Sequence, residues 1–433
     1  MSHPEVVPEA LIVDTVGPAE LPSPLGLSAV KGDEIADYTT DDRRLPLDPT
    51  APNAASGPRF ELAGARERIY FAGPKVNAAI VTCGGLCPGM NNVIRGLVMQ
   101  LWHAYGVRRI LGFRYGYAGL SERREPPWEL TPELVKDCHH QGGTILGSSR
   151  GPVAAEEMCR TLLELRIDML FVIGGDGTMR GAHALAQEVS RQGLPIAIVG
   201  IPKTIDNDIA FVERTFGYAT AVAQASAAIT AAHVEATGAK NGIGLVKLMG
   251  RHSGYVAASA VLASRDANLV LVPESRFDLD GPAGVLRFIE QRLAARGHAV
   301  IVVAEGAGQE LIESESTTDR SGNQRLADIG VFLRDALRQA LPDAPLKYID
   351  PSYLIRAAPA SADDAIFCGQ LAEDAVHAAM AGKTGLLIGL WMNRRTHVPL
   401  PAVVGRHKRI SLDGSFWRNV VETTGQPQLL RSR

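Results

Sequence analysis

The predicted fold rests on one stretch of sequence, MLFVIGGDGT at residues 169–178. It begins with an uninterrupted apolar run, passes into a glycine-rich turn and leads into a segment of helical period near Arg180. A run of Val, Ile and Leu that does not alternate with polar residues is typical of a parallel strand covered on both faces. The stretch therefore predicts a strand, a tight turn and a helix in succession, which is one unit of an α/β fold.

The same strand-to-helix alternation repeats from about residue 76 onwards. Apolar runs predict strands at residues 76–81, 169–173, 196–201, 243–248, 269–272, 300–304 and 386–390. Helical periods predict helices at residues 91–105, 180–191, 254–262, 282–295, 327–341 and 362–380. These strands are more than one sheet comfortably holds, so we predict two sheets. Because ligands of open parallel sheets bind beyond the carboxyl ends of the strands, the residues after each run are the candidates for chemistry.

The composition is that of a globular protein with an excess of glycine. The 433 residues are 46% hydrophobic and 21% charged, and they include 44 glycines. This excess predicts many tight turns between strands and helices. Lys and Arg total 44 and Asp and Glu total 47, so the formal charge is −3 and no basic field is available to hold nucleic acid. An anionic ligand would need a local pocket.

The cysteines and the N-terminus indicate a reducing compartment. Five cysteines without a repeated paired spacing argue against a disulfide framework. Cys83 and Cys87 could form half of a zinc site, but no Cys/His pair of suitable spacing accompanies them, so small buried thiols are the better interpretation. The chain has neither a signal-peptide pattern nor an uncharged apolar run of about 18 residues. We expect a cytoplasmic protein that does not bind a membrane.

Residues 1–75 are rich in proline and have few periodic stretches. They are predicted to form an N-terminal extension that wraps or flanks the core, and residues 10–13 could pair as an edge strand. The alternative interpretation is a disordered tail.

Two glycine-rich turns follow predicted strands and could hold phosphate groups. In the first, at residues 82–92, three glycines would let backbone N–H groups approach a phosphate closely. The alternative is a tight connection without a ligand, since the spacing matches neither the dinucleotide fingerprint nor the Walker motif. In the second, at residues 174–178, Asp176 could hold Mg²⁺ beside phosphate-binding backbone, or it could cap the following helix.

Two further strand ends carry charged side chains. In PKTIDND, residues 202–208, Asp206 and Asp208 would face one side of an extended segment, and their repulsion and burial would raise one pKa toward that of a general base. The alternative is an Asx-rich turn. In KLMGRHSG, residues 247–254, Arg251 could reach a transferring phosphoryl group, or it could simply be solvated. His252 is interpreted as structural.

The four strand ends together predict phosphoryl transfer from a nucleotide or a polyphosphate to a hydroxyl group. This reaction needs glycine-rich turns that bind anions, an Asp that can bind a metal, a general base such as one of two paired aspartates, and an Arg.

The ordered set of GGDGT (174–178), TIDND (204–208) and MGR (249–251) resembles the 6-phosphofructokinase family. KYIDPSY (347–353) and the long N-terminal extension resemble its long ATP-dependent branch, which contains trypanosomatid and plant enzymes. The resemblance covers residues 75 to 389 approximately. It implies phosphorylation of the 1-hydroxyl of fructose 6-phosphate by ATP with Mg²⁺.

The resemblance also implies an architecture. It consists of two Rossmann-like, three-layer α/β domains with mostly parallel sheets and an active site in the cleft between them, plus the N-terminal extension at 1–75. The nucleotide-binding domain would comprise residues 76–217 and 355–395, and the fructose 6-phosphate domain residues 218–354 and 396–433. A homo-oligomer, either a dimer or a tetramer, is expected.

Individual roles follow from the resemblance as well. Asp206 would take the proton of the sugar hydroxyl with support from Asp208, and Arg150 and Arg251 would complete the catalytic set. Asp176 would bind the metal. The residues implied at the nucleotide are Gly84, Tyr117, Arg150, Gly175, Asp176, Gly177, Thr178 and Lys203. Those implied at the sugar phosphate are Thr204, Asp206, Asp208, Met249, Gly250, Arg251, Glu305, Lys347, Tyr353 and Arg356, with Lys347 reaching in from a neighbouring subunit.

The phosphoryl donor is the point at which the family signals conflict. Gly177 leaves room for the α-phosphate of ATP, where pyrophosphate-dependent forms have an Asp. Lys203 is the residue that those pyrophosphate forms carry. We expect ATP to be the donor. Lys203 can move aside or bind a phosphate of ATP, whereas Gly177 has no side chain that could exclude the α-phosphate. Lys203, Gly242, Tyr353 and Lys347 depart from the short bacterial pattern, so no regulator is assigned.

Three alternatives remain open at this point. A pyrophosphate-dependent enzyme would share the fold, and a non-catalytic regulatory subunit would have lost its catalytic residues, which are intact here. Lipid and NAD kinases share the GGDGT turn but lack the TIDND and MGR motifs.

Overall fold

Two sheets organise the chain in the computed structural model, which describes residues 11–50, 57–313 and 325–431. The strands, numbered β1 to β17 in chain order, are Asp14–Thr15, Leu21–Pro22, Arg44–Pro46, Arg59–Leu62, Arg68–Ile69, Asn77–Thr82, Arg109–Phe113, Trp128–Glu129, Met169–Gly174, Ala197–Pro202, Gly242–Leu248, Leu269–Leu271, His298–Ala304, Leu346–Ile349, Lys383–Thr384, Leu386–Trp391 and Arg394–Pro399. The helices, α1 to α12, are Met90–Met99, Pro132–Val135, Ala155–Glu164, Asp176–Arg191, Tyr218–Thr237, Tyr255–Ser264, Val285–Arg296, Ile329–Ala340, Ser352–Ala357, Ala362–Met380, Leu400–Val403 and Ser415–Thr424. Every strand and helix expected from residue 76 onwards is present, and most have ends shifted by a few residues.

The larger sheet has a parallel centre and antiparallel edges. Its order is β3-β4-β17-β16-β10-β9-β6-β7-β8, in which β16, β10, β9, β6 and β7 run parallel. Alternate residues of β9 pack in two separate clusters, Phe171 and Ile173 with α1 and α10, and Leu170 and Val172 with α4. The prediction of strands covered on both faces is therefore confirmed.

The smaller sheet is parallel and forms the second domain. Its order is β12-β13-β11-β14. Helix α5 packs against β11, β13 and α6. A cleft lies between the two sheets, and residues that follow β6, β9 and β10 of one sheet and β11 and β13 of the other line it. The structure thus places the strand ends that the sequence singled out around one cavity.

The N-terminal extension is part of the larger sheet rather than only a flank. Strand β4 pairs with β17, and β3 pairs with β4. The edge strand expected at residues 10–13 lies instead at β1, which pairs with β15; residue 10 itself is outside the described residues. The extension acquires its strands from long-range pairing, which its proline-rich local pattern does not reveal.

The domain boundary expected between residues 395 and 396 needs correction. It divides β17, which pairs with β16 along its whole length, and α11 packs against α4 of the same domain. Residues 396–403 therefore belong with the larger sheet. In contrast, α12 packs against α6 and belongs with the smaller one.

Several elements that the sequence pattern does not predict pack around this frame. Helix α5 is the longest of them. It lacks a clear polar face because alanines stand both on its buried side, as at Ala225 and Ala232, and on its exposed side, as at Ala227 and Ala231. Strands β7 and β14, and helices α3 and α12, are also missed. No helix within the described residues is long and apolar enough to cross a membrane.

Candidate active site

The cleft between the sheets is a cavity of about 800 Å³. Fifteen of the residues singled out from the sequence line it, namely Gly84, Tyr117, Arg150, Gly175, Asp176, Gly177, Thr178, Lys203, Thr204, Asp206, Asp208, Met249, Arg251, Glu305 and Arg356. They come from both domains, so the site forms only when the two sheets are in place.

The turn after β6 forms one wall of the cleft. Gly84 has a φ of +82°, and a Cβ atom there would stand 3.2 Å from Nζ of Lys203. The backbone N–H of Gly84 donates to the carbonyl of Ser149 at 3.2 Å, which ties the turn to the segment that carries Arg150. The guanidinium of Arg150 lies 3.8 Å from the position of a Cβ on Gly85. This glycine turn lets backbone and cations come close to one another, as a phosphate site requires.

The GGDGT turn connects β9 to α4 and forms the floor of the cleft beside the turn after β6. Gly175 is the N-cap of α4 without a side-chain bond, and Asp176 is the first helical residue. Asp176 therefore does not cap the helix, contrary to that alternative interpretation. Its Oδ2 lies 3.2 Å from a guanidinium nitrogen of Arg180. The Tyr117 hydroxyl donates to the carbonyl of Thr178 at 2.6 Å and holds the first turn of α4 in place.

Gly177 faces open space at the same turn. The nearest atom to a Cβ built there is the Arg180 guanidinium, at 3.7 Å. A larger side chain at this position would therefore enter the cleft rather than the protein core.

The TIDND loop brings two carboxylates to the centre of the cleft. Oδ2 of Asp206 accepts from the backbone N–H of Arg251 at 3.3 Å, and the Thr204 hydroxyl donates to Oδ1 of Asp208 at 3.0 Å. The pKa of Asp206 is raised to about 7, chiefly by burial and further by the charges of Asp208 and Glu305. A carboxyl group with this pKa can accept a proton at neutral pH and release it again.

The MGR loop after β11 approaches from the other domain. Met249 is buried, and Gly250 has a φ of +131°, where a Cβ would stand 2.5 Å from the carbonyl oxygen of Ser253. Its own carbonyl accepts from Gly306 at 3.0 Å, which ties the loop to the end of β13 beside Glu305. Gly250 thus shapes the loop that presents Arg251, although Gly250 itself does not line the cavity.

The single chain does not bring Lys347 and Tyr353 to the cleft. Tyr353 is 82% exposed, and the side chain of Lys347 is 61% exposed, with its ammonium 3.8 Å from Glu235. Of the two residues expected to grip the 6-phosphate together, only Arg356 lines the cavity of the single chain, and the role of Tyr353 stays a prediction. A role for Lys347 from a neighbouring subunit remains a prediction.

Two histidines that the sequence pattern does not mark as neighbours lie together at this site. His252 and His407 both line the cleft, with ring centroids 4.4 Å apart. Nδ1 of His407 lies 3.9 Å from Oδ2 of Asp208. His407 follows the last strand of the larger sheet, and no motif around it signals this position.

The geometry bears on whether Cys83 and Cys87 are buried thiols or metal ligands. Cys83 and Cys87 are buried, and burial raises the pKa of Cys83 to about 12. Within the described residues, no group of three or more His, Cys, Asp or Glu side chains could hold a metal ion on its own. The burial of both cysteines and the raised pKa of Cys83 support their interpretation as small buried thiols.

Comparison with known proteins places this cleft in a family. A family model described as phosphofructokinase matches residues 77–379. The chain belongs to the phosphofructokinase family. It is 49% identical over 380 residues to an ATP-dependent 6-phosphofructokinase of Borreliella burgdorferi, covering 85% of each chain. It is 44% identical over 431 residues to the ATP-dependent enzyme of Trypanosoma brucei brucei, covering 97% of this chain and 88% of that one. ATP-dependent 6-phosphofructokinase 1 of Arabidopsis thaliana is 44% identical over 422 residues, with 95% of this chain and 88% of that one covered.

Solved structures agree with this phosphofructokinase fold. A pyrophosphate-dependent phosphofructokinase from Marinobacter aquaeolei superposes with a TM-score of 0.68 at 22% identity, over 82% of this chain and 96% of that one. Pichia pastoris phosphofructokinase superposes with a TM-score of 0.63 at 24% identity, over 82% of this chain and 40% of that one. The two-domain fold and the resemblance to the plant and trypanosomatid branch are thereby confirmed.

Proposed function

We propose that this phosphofructokinase transfers the γ-phosphoryl group of Mg-ATP to the 1-hydroxyl of fructose 6-phosphate, which yields fructose 1,6-bisphosphate and ADP. The observation that carries the proposal is the place of Asp206, between a glycine-lined phosphate cradle and the Arg251 loop of the other domain. Relatives that are 44–49% identical and carry the name ATP-dependent 6-phosphofructokinase support it. We place the reaction in the cytoplasm.

Asp206 acts as the general base. Its carboxylate takes the proton of the 1-hydroxyl as the hydroxyl oxygen bonds to the γ-phosphorus and the bond to the ADP oxygen breaks. A pKa of about 7 matches this task, because the group is then both substantially ionised and basic enough at neutral pH. Asp208, two residues along, sustains that pKa through its charge.

The donor is bound by backbone and cations. Gly84, Gly175 and Gly177 bring backbone close to the phosphates, and Tyr117 and Thr178 hold the turn that does so. Arg150 and Lys203 line the same wall and neutralise the triphosphate. In the transition state, Arg150 stabilises the negative charge on the transferring phosphoryl group.

Mg²⁺ fits this site through Asp176. This carboxylate lines the cleft, and no complete metal-binding cluster exists among the described residues, which suits an ion bound by one or two carboxylates together with phosphates and waters. When bound, the ion neutralises phosphate charge. Asp176 would hold the ion, and Asp208, which lines the same cleft, would support it.

The sugar phosphate lies against the second domain. Thr204, Met249 and Arg251 bind the sugar, Gly250 shapes the loop that presents Arg251, and Glu305 accepts hydrogen bonds from the sugar hydroxyls. Arg356 grips the 6-phosphate from within the chain. Lys347 and Tyr353, which are exposed in the single chain, complete that grip from a neighbouring subunit of a dimer or a tetramer.

ATP is the proposed donor rather than pyrophosphate. Gly177 leaves the α-phosphate position open, since a Cβ there meets nothing nearer than 3.7 Å. Lys203 favours pyrophosphate in the family, but its ammonium serves the phosphates of either donor.

A steady-state assay with each donor tests the proposal. Purified protein is supplied with fructose 6-phosphate, Mg²⁺ and either ATP or pyrophosphate, and fructose 1,6-bisphosphate is measured. We expect turnover with ATP to exceed that with pyrophosphate. Comparable or better turnover with pyrophosphate would overturn the choice of donor, and no product with either donor would identify a non-catalytic member of the family.

A further inference from the structure

Residues 407–410 (HKRI) form a short C-terminal segment that contacts loops of both domains; we name it the C-terminal brace. The loops are the Asp loop, residues 203–216, and the Arg loop, residues 249–254. We propose that the brace, acting through Lys408, sets the position of the Asp loop relative to the Arg loop, so that Lys408 is a positioning residue for phosphoryl transfer. The kinetic part of this inference rests on the proposed function.

Lys408 binds the Asp loop through its backbone and its side chain. Its backbone N–H donates to the carbonyl of Asp208 at 2.8 Å, next to an antiparallel bridge between Ile209 and His407. Its Nζ donates to the carbonyls of Val212 at 2.7 Å and Glu213 at 2.8 Å. One residue thus satisfies three carbonyl groups of the loop that carries the proposed base.

The same segment reaches α6, the helix that follows the Arg loop. Nζ of Lys408 lies 5.0 Å from the centre of the Tyr255 ring, and the Tyr255 hydroxyl donates to the carbonyl of Arg409 at 3.0 Å. The backbone N–H of Ile410 donates to Glu274 at 2.9 Å, and Glu274 also accepts from Gly254, the last residue of the Arg loop, at 3.1 Å. The brace therefore joins both loops through separate contacts.

The Asp loop depends on such support because of its own conformation. Asn207 and Phe211 have φ angles of +54° and +59°, which are unfavourable for residues with side chains and persist only where the surroundings impose them. Two direct hydrogen bonds join the loops, from the Arg251 N–H to Oδ2 of Asp206 at 3.3 Å and from the Ser253 hydroxyl to the Asp206 carbonyl at 2.8 Å. Both involve Asp206, whereas the brace holds the Asp loop further along, at Asp208, Val212 and Glu213.

The hydrogen bonds of the brace do not require a particular charge on Lys408. Burial lowers the pKa of its amine to about 7, against the raising effects of Asp208 and Glu213. Both the ammonium and the neutral amine have enough hydrogens to donate to the two carbonyls. The essential property of Lys408 is its length and its donors, which methionine matches only in length.

Lys408→Met tests the proposal. We expect kcat to fall by about tenfold or more, with the KM for ATP within about twofold of wild type, because a small misplacement of the base slows the chemical step. Hydrogen exchange of the substrate-free protein should rise in residues 203–216. Lys408→Arg, which retains donors, should recover part of the lost kcat. The matched control is Lys383→Met, which removes another buried lysine, one paired with Asp41 and Glu61 outside the cleft; it should lower the Tm and leave kcat unchanged.

A kcat of Lys408→Met within twofold of wild type, or unchanged exchange in the Asp loop, would overturn the proposal. Should that variant fail to fold, Tyr255→Phe decides, since it removes only the bond to Arg409. We expect about a fivefold lower kcat and faster exchange in the Arg loop; wild-type values of both would overturn the role of the brace. Because exchange is measured without substrates, it tests the brace even if the wild-type protein proves inactive with ATP.

Discussion

Nζ of Lys203 donates a 2.7 Å hydrogen bond to the carbonyl oxygen of Gly85 and so joins the end of β10 to the turn after β6. The lysine is buried, and this burial lowers its pKa below the ordinary value. A Cβ on Gly84 would stand 3.2 Å from the same nitrogen. The amine therefore shapes the glycine turn on the wall of the cleft that is proposed to bind the phosphoryl donor, which is called the donor wall.

Replacing Lys203 with Met should weaken donor binding. Loss of a charged donor to phosphate is expected to lower kcat/KM for ATP by about 10- to 100-fold. The KM for fructose 6-phosphate should change little, because Lys203 lies on the donor wall. Steady-state kinetics with each substrate varied in turn would check this, and an effect confined to fructose 6-phosphate would contradict the assignment.

Gly177→Asp tests the basis of the donor choice. A carboxylate placed in the open space at Gly177 would repel the α-phosphate, so kcat/KM for ATP should fall by about tenfold or more. Gly177→Ala is the matched control, since a Cβ there meets nothing nearer than 3.7 Å and should be tolerated. Equal losses in both variants would show that the backbone, and not the charge, is responsible.

Asp206→Ser should reduce kcat by about 10²-fold or more, as loss of a general base does. Asp168→Asn is a useful control, because Asp168 is another partly buried carboxyl group whose pKa is raised by burial, but it lies outside the cleft and accepts from Asn77. That control should retain the wild-type kcat. Near-normal turnover of Asp206→Ser would remove Asp206 from the mechanism.

The pH profile should carry the signature of the same residue. Asp206 must be ionised to accept a proton, and its pKa is raised to about 7, so kcat/KM for fructose 6-phosphate should fall as the pH drops below about 7. The low-pH limb should be absent from the residual activity of Asp206→Ser. A wild-type profile that stays flat down to pH values near 5, roughly two units below this pKa, would contradict the raised pKa.

Complementation between two impaired variants, assayed at a low concentration of fructose 6-phosphate, tests the neighbouring-subunit prediction. Lys347→Ala should raise the KM for fructose 6-phosphate, because the exposed ammonium of Lys347 would reach a partner's 6-phosphate. If Lys347→Ala and Asp206→Ser subunits are unfolded, mixed and refolded together, some sites will combine an intact Asp206 with an intact Lys347. We expect these mixtures to regain activity above the sum of the two variants, and no gain would place Lys347 outside the partner's site.

The chemistry of the site could be predicted where one short segment carries it. GGDGT and TIDND each follow a buried strand, and the carboxyl ends of parallel strands meet at one edge of a sheet, so their convergence follows from local pattern and sheet geometry. The βα frame was predictable for the same reason, since apolar runs such as that of β9 report burial on both faces.

Contacts between distant segments could not be predicted in this way. Lys408 and Val212 are 196 residues apart, and β4 pairs with β17 across the length of the chain. Neither pairing produces a periodic pattern in the sequence. A backbone carbonyl can accept a hydrogen bond whatever side chain its residue carries.

The sequence by itself determined the motifs that line the cleft: the glycine turns, the paired aspartates and the arginine loop. Each of them is encoded within a few consecutive residues. Only the tertiary structure decided how they act together. The pKa of Asp206 is raised chiefly by burial and then by Asp208, which is two residues away, and by Glu305 from the other domain; the exposure of Tyr353 depends on where α9 packs. The repulsion from Asp208 is local, but burial, the approach of Glu305 and the packing of α9 arise only once the two sheets have assembled.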